Sequence, residues 1–380
     1  MVNNQASVLL DDPREVDISK IEQELTLLWK TASEGADGAS SPVVRACSLN
    51  LLFVTDTVAM LEEAGDLIGE VTVEHPSRTF LIVADRRKGT PSIETWISAR
   101  CSLPVPGGKQ VCCEQINLIA AGTDANRIPS IVTALLVPDV PTVLLWNSRV
   151  QREDGLLRAL IRITDRVLID SSSDEAPLEM FQAWKAYFRG EERHTTFGDL
   201  GWTHLTPWRT ALAYVVQPME VRKLLTGLDS VTIEYSSTVK PRHSGLSQSF
   251  LLAAWFAQRL RWTLIHPLRT IGAGAFSSKL RLGEQAITVS IVPAGAREGK
   301  PGAIESVRLH SADGNAVTIR ANDDTCFALT REIGGEVRDE RIPAARHTSE
   351  SMIIAEELEV LQRDEHYEAA LTTLHSLLPD

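Results

Sequence analysis

Cationic residues are scarce in this sequence: 38 Lys and Arg stand against 50 Asp and Glu, a net charge of −12. Neutralising phosphates needs Lys and Arg in concentration, so neither nucleic acid nor an anionic membrane surface is an expected partner. No apolar run reaches the ~18 residues that cross a bilayer. The opening segment MVNNQASVLLDDPREVD has no cationic start, and its apolar patch at residues 8–10 is too short for a secretory leader. A cytoplasmic location is therefore expected. Cysteine is sparse as well, with 5 in 380 residues, and an odd count in a long chain fits reduced thiols better than a disulfide framework. The phosphate-binding loop GxxxxGK[ST], the dinucleotide fingerprint GxGxxG, the hydrolase elbow GxSxG and the zinc motif HExxH are all missing. GAGAF at residues 272–276 is too short for a fingerprint and lacks its acidic partner. No cofactor and no metal are expected.

What is present is ordinary globular material. A hydrophobic share of 43% with 23% charged residues supplies a sizeable core. At this length two domains are expected. Residues 1–42 read as a loose arm (1–14), a helix and a linker. In the helix, REVDISKIEQELTLLWKTA sets Ile18, Ile21, Leu25 and Leu28 on one face. The linker SEGADGASSP is rich in Gly, Ser and Ala.

From residue 43 strand and helix patterns alternate. VVRACSLNLLFVT reads as a strand, TVAMLEEAGDLIGEV as a helix and TFLIVAD as a buried strand. IETWISARCSL and KQVCCEQINLIA are strands about the turn PVPGG. A helix at RIPSIVTALLV, a strand at PTVLLW, a helix near residues 155–163 and a strand at RVLIDSS complete the series. Residues 43–172 are thus an expected α/β domain with a mostly parallel mixed sheet. Residues 173–380 read as an α+β domain with an antiparallel sheet over residues 286–329 and two terminal helices. In LTPWRTALAYVV, Thr206 is the expected N-cap and Pro207 the first helical residue.

Three clusters draw chemical attention. HPSR, residues 75–78, leads into an apolar strand, and Pro76 biases His75 toward an extended backbone. Arg78 suits a carboxylate or phosphate, whereas His75 and Ser77 stand too close in sequence to face each other as base and nucleophile. A structural turn, a ligand or partner contact, and catalysis all stay open. Cys112 and Cys113 are adjacent, so on a strand they point to opposite faces and cannot chelate as CxxC does. Cys101, on the preceding strand, can face one of them, as a redox couple or as small buried apolar side chains. Tryptophan, at 8 against 4 Tyr, gathers at Trp184, Trp202, Trp208, Trp255 and Trp262. DLGWTHLTPWRT sets two of these among polar residues, which fits either core or an interface anchored by Trp and Arg.

The order of RACSLNLLFV, HPSRTFLIV, ISARC, QVCCEQINL, IPSIVTALLVPDVPTVLLW, VLIDSS, DLGWTHLTPWR, LLAAWFAQRLRW and LEVLQRDEHYEAAL runs from about residue 43 to residue 371. That ordered set resembles the OpcA family, the glucose-6-phosphate dehydrogenase assembly or effector proteins of cyanobacteria, actinobacteria and relatives. The resemblance implies a non-enzymatic protein that binds glucose-6-phosphate dehydrogenase and promotes its active oligomer, favouring entry of glucose 6-phosphate into the oxidative pentose phosphate pathway. By the same resemblance, Cys101, Cys112 and Cys113 become redox candidates. His75, Ser77, Arg78 and exposed Trp202, Trp208 and Arg209 become candidate partner contacts. Asn147 stands where many members carry a second Trp, and His204 where Arg is common. Two other readings remain from the residues. One is a sugar-phosphate-handling enzyme using Arg78, His75 and Asp85. The other is a thiol switch in which oxidation links Cys101 to Cys112 or Cys113.

Overall fold

Strands covered on both faces become unbroken apolar runs, and LNLLFVT, every residue of it buried, marks the centre of the first sheet. The computed structural model describes residues 8–9, 13–35, 43–85, 89–102, 110–188, 194–236, 245–294, 303–322, 325–344, 349–360 and 362–379. Two units emerge. The first holds Met1–Ile169, Gly190–Gly198 and Ser349–Gln362, and the second Asp170–Arg189, Asp199–Thr348 and Arg363–Asp380. The first break between the units falls after Ile169.

In chain order the first unit forms β1 (Val8–Leu9), β2 (Arg14–Glu15), α1 (Ile21–Gly35), β3 (Val43–Arg45), β4 (Leu49–Thr55), α2 (Ala59–Glu74) and β5 (Ser77–Asp85). It continues with β6 (Ser92–Ser102), β7 (Gln110–Ala121), α3 (Ile128–Leu135), β8 (Thr142–Asn147), α4 (Gly155–Ile161) and β9 (Arg166–Ile169). After α5 (Pro177–Phe188), which lies in the second unit, the chain forms β10 (Thr196–Asp199). Among the described residues ten strands make one sheet in the order β1-β6-β7-β5-β4-β8-β9-β10, with β2 on β6 and β3 on β7. β7, β5, β4, β8 and β9 run parallel, and β6 is the antiparallel excursion. The run VVRACSLNLLFVT is two strands, not one: β3 pairs with β7 and β4 with β5 and β8. Arg14 is no loose arm either, since β2 pairs Arg14 with Ile97 and Glu15 with Trp96.

Taken from β7 to β10, the order is that of a doubly wound sheet, with the strand sequence reversing between β4 and β8. One buried cation closes the far end. Arg166, 1% exposed, meets Glu357 at 2.5 Å and donates to the Gln362 carbonyl at 3.1 Å. Glu357 lies on α10 (Glu350–Glu359), so this pair fixes a late segment to β9. Gly198 sits against it so closely that a Cβ would stand 2.6 Å from both Arg166 Nη2 and Glu357 Oε2, so a larger residue there would have to displace the pair.

The second unit forms α6 (Leu200–Thr203), α7 (Thr206–Val215), α8 (Met219–Thr226), β11 (Leu228–Ser236), α9 (Leu246–Arg259), β12 (Thr263–Gly272), β13 (Ala275–Leu282) and β14 (Gln285–Ala294). β15 (Ile304–Ser311), β16 (Ala316–Ala321), β17 (Cys326–Ile333), β18 (Glu336–Pro343) and α11 (Glu365–Leu377) complete it. Eight strands make a sheet in the order β12-β13-β14-β11-β15-β16-β17-β18. Neighbours are antiparallel except β11 and β14. Strict alternation buries Val231, Ile233, Val289, Ile291, Val307, Leu309, Val317 and Ile319 and turns Thr232, Ser290, Arg308 and Thr318 the other way. The sheet draws on β11, Leu228–Ser236, and on the strands from Thr263 to Pro343 rather than on residues 286–329 alone. β12 escaped the period-2 reading because Pro267 and three register shifts break its alternation. Thr206 does not cap α7. Leu205 is the N-cap, without a side-chain bond, and the Thr206 hydroxyl instead accepts from Arg209 at 3.0 Å.

Candidate functional site

The HPSR corner lies at the amino end of β5, and Ser77 and Arg78 are inside the strand, paired in register with Leu49 and Asn50. Arg78 is 3% exposed. Its guanidinium donates to Glu114 at 2.7 Å, to Glu22 at 2.6 Å and to the Leu135 carbonyl at 2.6 Å. Glu114, on β7, is itself buried and takes Arg45 at 2.8 Å and the Trp29 indole N–H at 2.6 Å. Burial alone pulls the Arg78 pKa down, but Glu114 and Glu22 outweigh it and the net direction is up. Ser77 shares a hydroxyl hydrogen bond with Thr79 at 2.9 Å. His75 Nε2 is buried without a hydrogen-bond partner among the described residues.

Arg78 is therefore committed within the fold, to two carboxylates and a backbone carbonyl. The network fastens α1, through Glu22 and Trp29, to β5 and β7. Glu114 was overlooked in the sequence, yet a charged residue inside the apolar run QVCCEQINLIA was itself a signal, because a buried charge requires a partner.

The cysteines divide by strand face. Cys101 and Cys112 stand directly opposite on β6 and β7, with Cα atoms 4.0 Å apart, and are joined as a disulfide. The expectation of reduced thiols throughout is corrected for this pair, because antiparallel register sets the two side chains against each other. Cys113 points away, is buried and stays a thiol. Burial pushes its pKa up to about 11, which leaves little thiolate at neutral pH. Cys47 is half-buried, and burial raises its pKa too. Among the described residues no group of three or more His, Cys, Asp or Glu could hold a metal.

Doubly wound sheets take ligands outside the carboxyl ends of their strands, where the order reverses. Here that place lies past Thr55 of β4 and Asn147 of β8, which pair in register. Asp56 occupies it. Its carboxylate accepts from the Ser148 hydroxyl at 2.6 Å and the Arg149 amide at 3.5 Å, bridging the two loops. A pyrophosphate would meet a negative side chain in the position where a glycine-rich turn offers bare amides. His75, Ser77 and Arg78 are at the opposite, amino end of the strands, removed from this crevice by the nine residues of β5.

In the second unit the expectation of exposed tryptophans is corrected: Trp202 is 2% and Trp208 3% exposed. The Trp202 indole N–H donates to Asp364 at 2.8 Å, and its ring lies 5.8 Å from that of Tyr367. Arg209 stacks over the same indole at 3.6 Å and donates to the Trp202 carbonyl at 2.9 Å. Trp208 packs on Phe327 at 4.6 Å. Trp202 and Arg209 thus spend their polar ends internally. Asp199, fully buried, caps α6 by accepting from the Ser171 amide at 3.0 Å and the Gly201 amide at 2.9 Å.

Together these features define an α/β unit and an α+β unit in a chain whose conspicuous charged and aromatic residues build architecture, and whose switch-point crevice carries a carboxylate. A family profile described as the glucose-6-phosphate dehydrogenase subunit N-terminal domain matches residues 69–186, and one described as the C-terminal domain of that subunit matches residues 195–371. The chain belongs to the OpcA family.

An OxPP cycle protein OpcA of Synechococcus elongatus is 26% identical over 326 residues, covering 80% of this chain and 68% of the relative. Its namesake in Synechocystis sp. is 26% identical over 205 residues, covering 53% of this chain and 40% of the relative. The match thus spans less than half the length of that relative. Among solved structures, a 3-ketoreductase from Actinomadura kijaniata with NADP has a TM-score of 0.47 at 12% identity, covering 87% of this chain and 95% of that one. Glucose-6-phosphate 1-dehydrogenase from Mycobacterium avium has a TM-score of 0.44 at 9% identity, covering 86% and 91%.

Proposed function

We propose that this chain is a non-enzymatic effector that binds glucose-6-phosphate dehydrogenase and promotes its active oligomeric state, raising flux into the oxidative pentose phosphate pathway. Family membership supports the choice of partner. The observation that carries the non-enzymatic part is Asp56, whose carboxylate bridges the switch-point loops where a nucleotide phosphate would lie. Coulombic repulsion disfavours NADP there, and the only basic corner singled out in the sequence is sealed at the other end of the strands.

An effector activates by binding the active state of its target more tightly than the inactive one. A coupling of about 1–3 kcal/mol tightens substrate binding roughly 5–150-fold. Mixed with a cognate glucose-6-phosphate dehydrogenase, the full chain is expected to co-elute on gel filtration and to lower the enzyme's apparent KM for glucose 6-phosphate within that range. Titrated alone with NADP+ in a calorimeter, it is expected to release no heat of binding. Unchanged kinetics without co-elution would reject the effector role, and micromolar NADP+ binding would reject the non-enzymatic one.

A further inference from the structure

The side of the eight-stranded sheet that carries Thr232, Ser290, Arg308 and Thr318 is organised in rows. Register places Arg269, Ser277, Ser290, Thr232, Arg308, Thr318, Thr330 and Asp339 side by side across all eight strands. Ser277, Ser290 and Thr232 give it a stretch of short hydroxyl side chains over β13, β14 and β11. Charges over β11 and β15–β17 are neutralised within the chain: Arg308 meets Glu332 at 3.1 Å, His310 meets Asp229 at 2.9 Å and Arg320 meets Glu234 at 4.0 Å.

Charges over β12 and β13 are not balanced in this way. His266, Arg269, Lys279 and Arg281 are all exposed, with His266 opposite Lys279 and Thr263 opposite Arg281. β12, β13 and β14 contain no Asp or Glu, in a chain with 50 of them. Ile271, 61% exposed, adds an apolar contact beside Arg269.

We propose that this outer face, centred on β12–β14, docks an acidic protein surface, which on the reading above is the dehydrogenase itself. Three cations, Arg269, Lys279 and Arg281, on strands that carry no carboxylate of their own, the nearest acid in sequence being Glu284 in the β13–β14 turn, call for an anionic counterpart on a strongly acidic chain. A second copy of this chain fits poorly, because a two-fold contact sets the same patch on both sides and opposes cation to cation. The opposite end of the row, with Asp339 and Arg341, carries no acidic patch to receive it. Nucleic acid is disfavoured by the lack of exposed aromatic side chains on these strands. Docking runs over side chains rather than by strand addition, since Pro267 and the register shifts spoil the β12 edge for backbone pairing.

The test uses the full chain carrying Arg269→Glu, Lys279→Glu and Arg281→Glu. All three residues are exposed, and an unchanged thermal melt verifies the fold. Against immobilised cognate glucose-6-phosphate dehydrogenase, Kd is expected to rise at least about tenfold at low salt, and the salt dependence of wild-type binding to flatten. A variant with wild-type affinity overturns the surface and leaves the effector reading intact. A wild-type chain that does not bind overturns both. Light scattering that shows a wild-type dimer, dissolved by the three substitutions, assigns the face to a second copy and overturns the acidic partner. Wild-type binding to duplex RNA or to phosphatidylserine vesicles, lost in the variant, overturns it too.

Discussion

Replacing Arg78 by alanine is expected to destabilise the first unit by about 3–5 kcal/mol, the cost of breaking a buried ion pair from one side. The residue first drew attention as a ligand contact, and its surroundings say why it fails as one. Truncation leaves Glu114, 3% exposed, with only Arg45 and the Trp29 indole N–H as partners. It also strands the Leu135 carbonyl and releases Glu22, which together tether α3 and α1 to β5. Single domains are stable by roughly 5–15 kcal/mol, so the loss is a large fraction of the total. Urea unfolding followed by far-ultraviolet circular dichroism should place the variant's midpoint well below that of the wild type.

A second variant separates charge from shape. Arg78→Met with Glu114→Leu removes both buried charges and keeps the volume, and is expected to recover more than half of the loss. An Arg78→Ala midpoint equal to the wild type would mean that the network adds nothing to stability. Loss of dehydrogenase binding by a variant that stays folded would instead return Arg78 to the partner surface.

The first sheet was legible because its central strands are buried on both faces and read as apolar runs, as TFLIVAD does for β5. Its N-terminal additions were not, since two-residue strands such as Arg14–Glu15 carry no periodicity. In the second sheet, β14 to β17 alternate cleanly, while β12 hides behind Pro267. Long-range partners were the larger loss. Trp202 looks like an interface anchor until its N–H is seen on Asp364, 162 residues away, and nothing local in DLGWTHLTPWR announces that bond. Arg78 likewise finds Glu22 and Glu114 only through the fold. That Cys101 could face one of the adjacent cysteines was readable from strand alternation. Cys112 rather than Cys113 is its partner because of register, which depends on the length of the intervening turn.

The Asp199 carboxyl sets the other large effect, with the opposite sign. Burial pushes its pKa up to about 7, the Ser171 and Gly201 amides hold it down less strongly, and Asp170 adds to the rise. Between its unfolded value near 3.8 and about 7, the folded chain therefore binds a proton that the unfolded chain has released. The stability tied to that proton is full below pH ~4 and is lost as pH rises through 7. Asp199→Asn keeps an oxygen for the two amides and removes the charge. At pH 8 the variant should be more stable than the wild type by on the order of 4 kcal/mol, with the gap closing toward pH 4. Trp202 lies on the helix that Asp199 caps, so urea melts read by tryptophan emission report the same unit. Parallel midpoints for both proteins from pH 5 to pH 8 would show that the carboxyl is already ionised in the fold. Asp199→Ala separates capping from charge: it also removes the acceptor, and should lose stability at every pH because two buried amides go unpaired.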